Sequence, residues 1–218
     1  MEVVQSTSQT NTKLRRLWYN MGQMNGKLKF TFRAWPVIAA ATIGLCFLTQ
    51  GVAKLFGIDL PDQHQIEEVR YMFAHAFDSA EAFATVCAGV FQVLILMPIV
   101  EEFLFRWLLV MLPTRIAEGR RETADEGRVR PASHGNFRLL LFLVSSALFS
   151  TAHYIDYNSL IRGRGFAMTG WNAAFIALFF FGFAQCWLYR KTDRIWCPML
   201  NHALFNLTNL VLLFVVPS

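Results

Sequence analysis

Five long apolar runs alternate with polar, mostly basic segments along this chain of 218 residues. A helix needs roughly 20 apolar residues to cross the hydrocarbon core of a bilayer. The pattern therefore predicts an all-α, polytopic transmembrane helix bundle with about five spans, at residues 34–56, 83–112, 139–157, 171–189 and 196–216. Pro98 falls inside the second run, where we expect it to kink the helix without ending it, as membrane helices tolerate.

The segment between the first two spans, residues 57–82, is acidic. Its apolar residues recur at helical spacing, which predicts an amphipathic helix at the membrane interface that leads into the second span; they are Ile66, Val69, Phe73, Ala76, Phe77 and Ala80. Asp78 and Glu81 have the spacing of a capping box at the start of the next helix. We divide the chain into a polar N-terminal segment, 1–33, and a membrane domain, 34–218.

The composition supports a membrane protein. Hydrophobic residues make up 55% and charged residues 16% of the chain, whereas a soluble domain carries about 25% charged residues. These values exclude a disordered or collagen-like chain and argue against an ordinary soluble domain. The four cysteines form no CxxC pair, so we expect buried thiols and neither a zinc site nor disulfides; they are Cys46, Cys87, Cys186 and Cys197.

The net charge of +5 could indicate a nucleic acid or a membrane surface as partner, and the positions of the basic residues favour the membrane. If the N-terminus lies in the cytoplasm and five spans follow, the cytoplasmic segments hold fifteen basic residues and the outer segments four. This asymmetry fits the positive-inside rule. We therefore expect the N-terminus inside, the C-terminus outside, a lipid bilayer as partner and no nucleic acid.

A few polar residues interrupt the apolar runs, although each charge at membrane depth costs about 2.5 to 3.5 kcal/mol to insert. They are Glu101, Glu102 and Arg106 in the second span, His153 in the third, and His202 and Asn206 in the fifth. Residues four apart share a helix face, so Glu102 and Arg106 are expected to form an ion pair that leaves Glu101 to face a water. The helical rise places all six residues near mid-bilayer, where they can form one cluster.

Such a cluster has the chemistry for peptide hydrolysis, which needs an activated water and donors for an oxyanion. Removing water from around a glutamate disfavours its charged form and makes it a stronger base. Histidine and asparagine side chains can donate to the developing negative charge. The same residues leave a second possibility open, a divalent metal such as zinc held by Glu101, His153 and His202.

Three short motifs follow one another in order on the predicted spans. They are EExxxR at 101–106, FxxxH at 149–153 and HxxxN at 202–206. At these residues the chain resembles the CPBP family of intramembrane proteases, which includes type II CAAX prenyl endopeptidases, bacteriocin-processing enzymes and Abi-type proteins. The resemblance covers about residues 83–216, the expected catalytic core.

The resemblance implies an intramembrane endopeptidase that hydrolyses a membrane-anchored protein or peptide, in a bacterial cytoplasmic (inner) membrane. It implies that Glu101 with His153 activates the water, that His202 and Asn206 form the oxyanion hole, and that Glu102 and Arg106 organise the site. Members have been described both as metalloproteases and as glutamate-dependent enzymes. The alternatives are a non-catalytic immunity or scaffold protein of the same family and a small ion or proton transporter, against which the lack of an internal repeat argues.

Overall fold

The structure is a computed structural model. It describes the backbone of residues 3–58, 60, 64–122, 134–156, 159, 162–163, 167–168 and 172–215. Side chains are described for residues 22–58, 60 and 69–117 and for every described residue from 135 onward. The helices are α1 (Val3–Leu55), α2 (His64–Ala74), α3 (Ala80–Phe91), α4 (Met97–Glu102), α5 (Leu112–Glu122), α6 (His134–Ala152), α7 (Ala174–Thr192) and α8 (Trp196–Val215). Two π-helical segments, π1 (Gln92–Leu96) and π2 (Phe103–Met111), flank α4. An isolated bridge between Ile155 and Met168 is the one β contact among the described residues, so the predicted all-α bundle is confirmed.

Four helical stretches in the described chain are long and apolar enough to cross a membrane: Gly22–Leu55, Ala80–Ala117, Gly135–Ala152 and Trp196–Val215. They coincide with four of the five predicted spans. The remaining predicted span corresponds to α7, whose 19 residues include Gln185 and end with Arg190 and Lys191 in the last turn. These three polar side chains lower its mean hydropathy. The predicted span limits at 157, 171 and 216 lie outside the described residues, as does the middle of the basic 113–138 segment, residues 123–133. The two ends of that segment, predicted as loop, are helical and belong to α5 and α6.

Residues 80–122 form one continuous helical run, the glutamate helix, built from α3, π1, α4, π2 and α5. It starts at Ser79, whose backbone is extended and whose hydroxyl oxygen accepts a hydrogen bond from the Ala82 N–H at 3.0 Å. The predicted capping box at Asp78 is therefore wrong by one residue. Asp78 precedes the cap, and its carboxylate contacts the His75 imidazole at 2.7 Å.

The interruption expected at Pro98 takes the form of π1. The N–H of Met97 donates to the carbonyl of Gln92, five residues back instead of four. Proline has no N–H, and its ring crowds the carbonyl of the preceding turn, so a wider helical turn accommodates it. The glutamate helix continues through α4 to Glu101 and Glu102.

The bundle core lies around α7, which packs against α1, α6 and α8. Its Phe181 is fully buried and contacts Phe149 on α6 and Phe205 on α8. Next to it, Gly182 brings α7 against α6 so closely that an added Cβ would lie 3.2 Å from the Ser146 Cα. Small residues at helix contacts allow such approach in membranes.

Helix α3, the first part of the glutamate helix, differs from the core around α7 because it has no buried residue. Cys87 lies on α3 and is exposed, and Cys46 is half-buried, whereas Cys186 and Cys197 are buried. The prediction of four buried thiols is therefore wrong for Cys87, because no described helix covers that side of α3.

The amphipathic segment forms the short helix α2, whose first residues have no described side chains. It contacts the end of α8, where the Arg70 Nε donates to the Leu213 carbonyl at 3.1 Å and the rings of Phe73 and Phe214 meet edge to face. A cationic side chain at the C-terminus of a helix stabilises the helix dipole. Its position at the membrane interface stays a prediction.

Candidate active site

Arg106 joins three helices in the centre of the bundle. Its Nε lies 3.0 Å from the Glu102 Oε2, and both side chains are fully buried. Its Nη2 donates to the Gly182 carbonyl on α7 at 3.2 Å, and its guanidinium lies 4.5 Å from the ring centre of Phe149 on α6. The ion pair expected from the i,i+4 spacing is therefore present, with a cation–π contact in addition.

His202 on α8 bridges the two glutamates. Its Nδ1 donates to the Glu102 Oε1 at 2.9 Å, and its Nε2 lies 3.6 Å from the Glu101 Oε2. The imidazole packs edge to face on Phe149 and Phe181. Glu101, Glu102, Arg106 and His202 thus form one connected group, the Glu–His cluster. Both oxygens of Glu102 are engaged, one by a histidine and one by an arginine.

The hydrogen bond to Glu102 decides how His202 presents its second nitrogen. An ionised carboxylate only accepts, so the His202 Nδ1 carries a proton, and in the neutral ring Nε2 is then an acceptor. It faces the Glu101 Oε2, which has no hydrogen-bond donor among the described residues. At 3.6 Å the two atoms are too far apart for a direct hydrogen bond, so this contact is an approach of the two side chains and not a bond.

His153 is the first residue after α6. Both this helix and the candidate span end at Ala152, whereas the predicted span continues to residue 157; the depth of His153 in the bilayer stays a prediction. Beyond this end, the Tyr154 hydroxyl donates to the Asn172 side chain at 2.6 Å, and Ile155 forms the bridge to Met168. Burial raises the pKa of Tyr154 to about 12, so this hydroxyl stays a donor at neutral pH.

The His153 ring remains near the cluster through Phe149. Its Nδ1 donates to the Phe149 carbonyl at 2.8 Å, and its ring centre lies 4.7 Å from that of Phe149. The Phe149 ring in turn contacts His202. This bond leaves the His153 Nε2 as the acceptor of a neutral ring. Within the part of the chain that the structure describes, His153 forms no hydrogen bond or ion pair with either glutamate.

Asn206 has a partner that the sequence did not indicate. Its Nδ2 donates to the Val93 carbonyl in π1 at 2.8 Å. The helical spacing does place Asn206 on the same face of α8 as His202, one turn further along. One N–H of its amide is used in this bond, and the second N–H remains for another acceptor.

A buried amide pair was missed by the sequence reasoning. The Gln185 Nε2 on α7 donates to the Asn201 Oδ1 on α8 at 2.9 Å, and both side chains are fully buried. The Ser145 hydroxyl on α6 similarly donates to the Phe105 carbonyl in π2 at 2.6 Å. The signal in the sequence is an uncharged polar residue inside an apolar run, at Gln185 and at Asn201.

The metal alternative does not fit the arrangement of the described side chains. Glu101 and His202 approach each other, but the His153 Nδ1 is turned to the Phe149 carbonyl. Within the described residues, no three His, Cys, Asp or Glu side chains lie close enough together to hold a metal ion. A zinc site needs three or four such ligands, so we derive no chemistry through a metal.

Comparison with known proteins identifies the family. A family model described as Type II CAAX prenyl endopeptidase Rce1-like matches residues 83–208, more than half of the chain. No curated protein and no solved structure matches the chain. The matched segment contains the whole Glu–His cluster together with His153 and Asn206. The resemblance to the CPBP intramembrane proteases is thereby confirmed, and the chain belongs to the type II CAAX prenyl endopeptidase Rce1-like family.

Proposed function

We propose that this protein is an intramembrane endopeptidase that hydrolyses a peptide bond of a membrane-associated protein or peptide, with Glu101 as the base. The observation that carries the proposal is the pair of adjacent glutamates with unequal surroundings. Glu102 is fully buried, with a hydrogen bond to His202 at one oxygen and the Arg106 cation 3.0 Å from the other, whereas the Glu101 side chain is 14% exposed and lies 3.6 Å from the His202 Nε2. Two carboxylates in different environments can take different roles in catalysis.

In this proposal, Glu102 and Arg106 hold His202 in place. The carboxylate fixes the tautomer and orientation of the imidazole, as the aspartate does in a catalytic triad. Arg106 balances the charge of Glu102 and ties it to α7. Neither residue touches the substrate, so they are positioning residues.

The hydrolytic step uses Glu101 as base and then as acid. A water oxygen attacks the carbonyl carbon of the scissile bond, and one water proton passes to the Glu101 carboxylate. When the tetrahedral intermediate collapses, the carbon–nitrogen bond breaks and Glu101 returns the proton to the leaving amine. His153 assists by accepting a hydrogen bond from the water through its Nε2.

His202 and Asn206 supply the donors for the oxyanion. Asn206 does so with the amide N–H that is not bound to Val93. His202 does so with Nε2 when its ring carries a proton on both nitrogens. Donors held in place before the reaction stabilise the oxyanion without reorganisation, and each one contributes about 100- to 1,000-fold in rate.

Replacement of Glu101 with Gln tests the base. The probes are two peptides ending in Cys-a-a-X, one with a prenyl group on the cysteine and one without, presented to purified protein in liposomes. We expect the Glu101→Gln protein to lose cleavage by about 100-fold or more, since general acid–base catalysis contributes at least that much. Glu81→Gln, at the exposed start of the same helical run, is the matched control and should cleave normally.

The outcomes separate the alternatives. Unchanged cleavage by Glu101→Gln contradicts the glutamate base. If neither peptide is cleaved, comparison of membrane-protein fragments in cells with and without the Glu101→Gln protein extends the test to natural substrates. If no fragment differs, the non-catalytic immunity or scaffold function is favoured.

We further infer that the N-terminus lies in the cytoplasm and the C-terminus outside, in a bacterial inner membrane. The support is the excess of basic residues on the segments that this orientation places inside. Labelling of single cysteines introduced at the two termini with a membrane-impermeant reagent tests it. Labelling of the N-terminal cysteine in intact cells would overturn the orientation.

A further inference from the structure

The backbone carbonyl of Val93 has no donor within its own helix. In an α-helix it would accept from the N–H of Met97, but that N–H donates to Gln92. In the π register the donor would be residue 98, and Pro98 has no N–H. Val93 lies on an exposed apolar part of the Ala80–Ala117 span, where lipid offers no hydrogen bond. Another part of the protein must therefore satisfy this carbonyl.

Asn206 supplies the missing donor, with its Nδ2 2.8 Å from the Val93 oxygen. The bond connects α8 to π1. One turn earlier on α8, His202 contacts Glu101 and Glu102. The two helices are therefore joined at two points, and the bond from Asn206 fixes how α8 is placed along the glutamate helix.

We propose that Pro98 is a positioning residue of the peptidase site. By removing the helical donor to Val93, it reserves that carbonyl for Asn206, and the bond aims the second amide N–H of Asn206 and sets the position of His202 against Glu101. The catalytic consequence rests on the function proposed above, whereas the exchange of donors at Val93 does not. A donor whose direction is set before the reaction is what oxyanion stabilisation requires.

A thermal double-mutant cycle tests the exchange of donors. Pro98→Ala restores an N–H at position 98, which can donate to Val93. We expect Asn206→Ala to lower the melting temperature by about 2 to 6 °C in the Pro98 protein, because the carbonyl loses its donor. In the Pro98→Ala protein the same change should lower it by less than half as much. Equal losses in the two backgrounds would overturn the proposal.

Asn209→Ala is the matched control for this cycle. Asn209 lies on the same helix and is exposed. Its replacement should change the melting temperature equally in the Pro98 and Pro98→Ala backgrounds. If Asn209→Ala also lowers the melting temperature by less in the Pro98→Ala background, the proline has a general effect on α8. That result would contradict a specific link through Val93.

A kinetic cycle tests the positioning role. On a cleaved peptide, Asn206→Ala should lower kcat about 100-fold, and Pro98→Ala about tenfold through misplacement of the amide, with little change in KM. The kcat of the double variant should be no more than twofold below that of Asn206→Ala alone, since Pro98 acts only through Asn206. Losses that multiply would show this role to be wrong. If the wild-type protein cleaves no peptide, the proposed function fails, and the thermal cycle still decides whether Pro98 reserves Val93 for Asn206.

Discussion

The most apolar stretch of the chain and its most buried helix are different parts of the molecule. Ala80–Ala117 has the highest mean hydropathy of the four candidate spans, yet its first helix, α3, has no buried residue. Helix α7 is not among those candidates, yet it occupies the centre of the bundle. The residues that α7 buries are Ala177, Phe181, Gly182, Gln185, Cys186, Leu188, Tyr189 and Thr192.

This difference follows from the solvent. Lipid tails are as apolar as leucine, so apolar side chains gain nothing by leaving lipid for the protein interior. Small and polar side chains do gain, because small ones allow close packing and polar ones find partners. In this protein high hydropathy therefore marks lipid contact, whereas small and polar residues inside an apolar run mark the packed interior and the site.

The largest expected effect is at the buried charges. Arg106→Ala removes the cation from the fully buried Glu102 and leaves a buried carboxylate with His202 alone, which should destabilise the protein by about 3–5 kcal/mol. The measurement is reversible unfolding in mixed micelles. Asp78→Asn is the control, because it breaks the exposed pair with His75 and should cost less than about 1 kcal/mol. Similar costs for the two variants would contradict the assignment of polar side chains to the interior.

The sequence was sufficient for the positions of the helices and for one half of the cluster. Spans are predictable because a helix in lipid must be apolar over its length, and the pair of Glu102 with Arg106 depends only on helical spacing. The contact of His202 with both glutamates involves residues a hundred positions apart. The shared motifs indicated that these residues act together but not which oxygen each nitrogen would reach.

Other features depended on tertiary contacts that hydropathy does not encode. Helix α6 ends at Ala152, before His153, and Tyr154 then bonds to Asn172, whereas the hydropathy pattern predicts a span that continues to residue 157. The partner of Asn206 depends on a carbonyl that only a change of helical register exposes. The close approach of α7 to α6 occurs at Gly182, a residue that a hydropathy scale does not single out.

An intermediate effect is expected at the glycines of the two regions. In Gly182→Ala the new Cβ would lie 3.2 Å from the Ser146 Cα and 3.3 Å from the Phe149 ring. Because the nearest atom is backbone, α6 and α7 must separate, at a cost of about 1–3 kcal/mol. Gly89→Ala on α3 meets no atom within 4 Å and should be neutral or stabilise by up to about 1 kcal/mol. A tolerated Gly182→Ala in the same unfolding assay would show that α6 and α7 are not in close contact.

The smallest effect is expected from an uncharged polar side chain, and it tests the comparison most finely. Gln185→Leu removes the donor to the buried Asn201 and should cost about 1 kcal/mol, near the average for hydrogen bonds between membrane helices. Gln92→Leu, at an exposed position of π1, makes the same chemical change facing lipid and should be neutral or stabilising. Adding Asn201→Leu to Gln185→Leu should recover part of the loss, because no buried amide is then left without a partner. Equal unfolding free energies for Gln185→Leu and Gln92→Leu would mean that the interior of this bundle gains nothing from its polar groups beyond the Glu–His cluster.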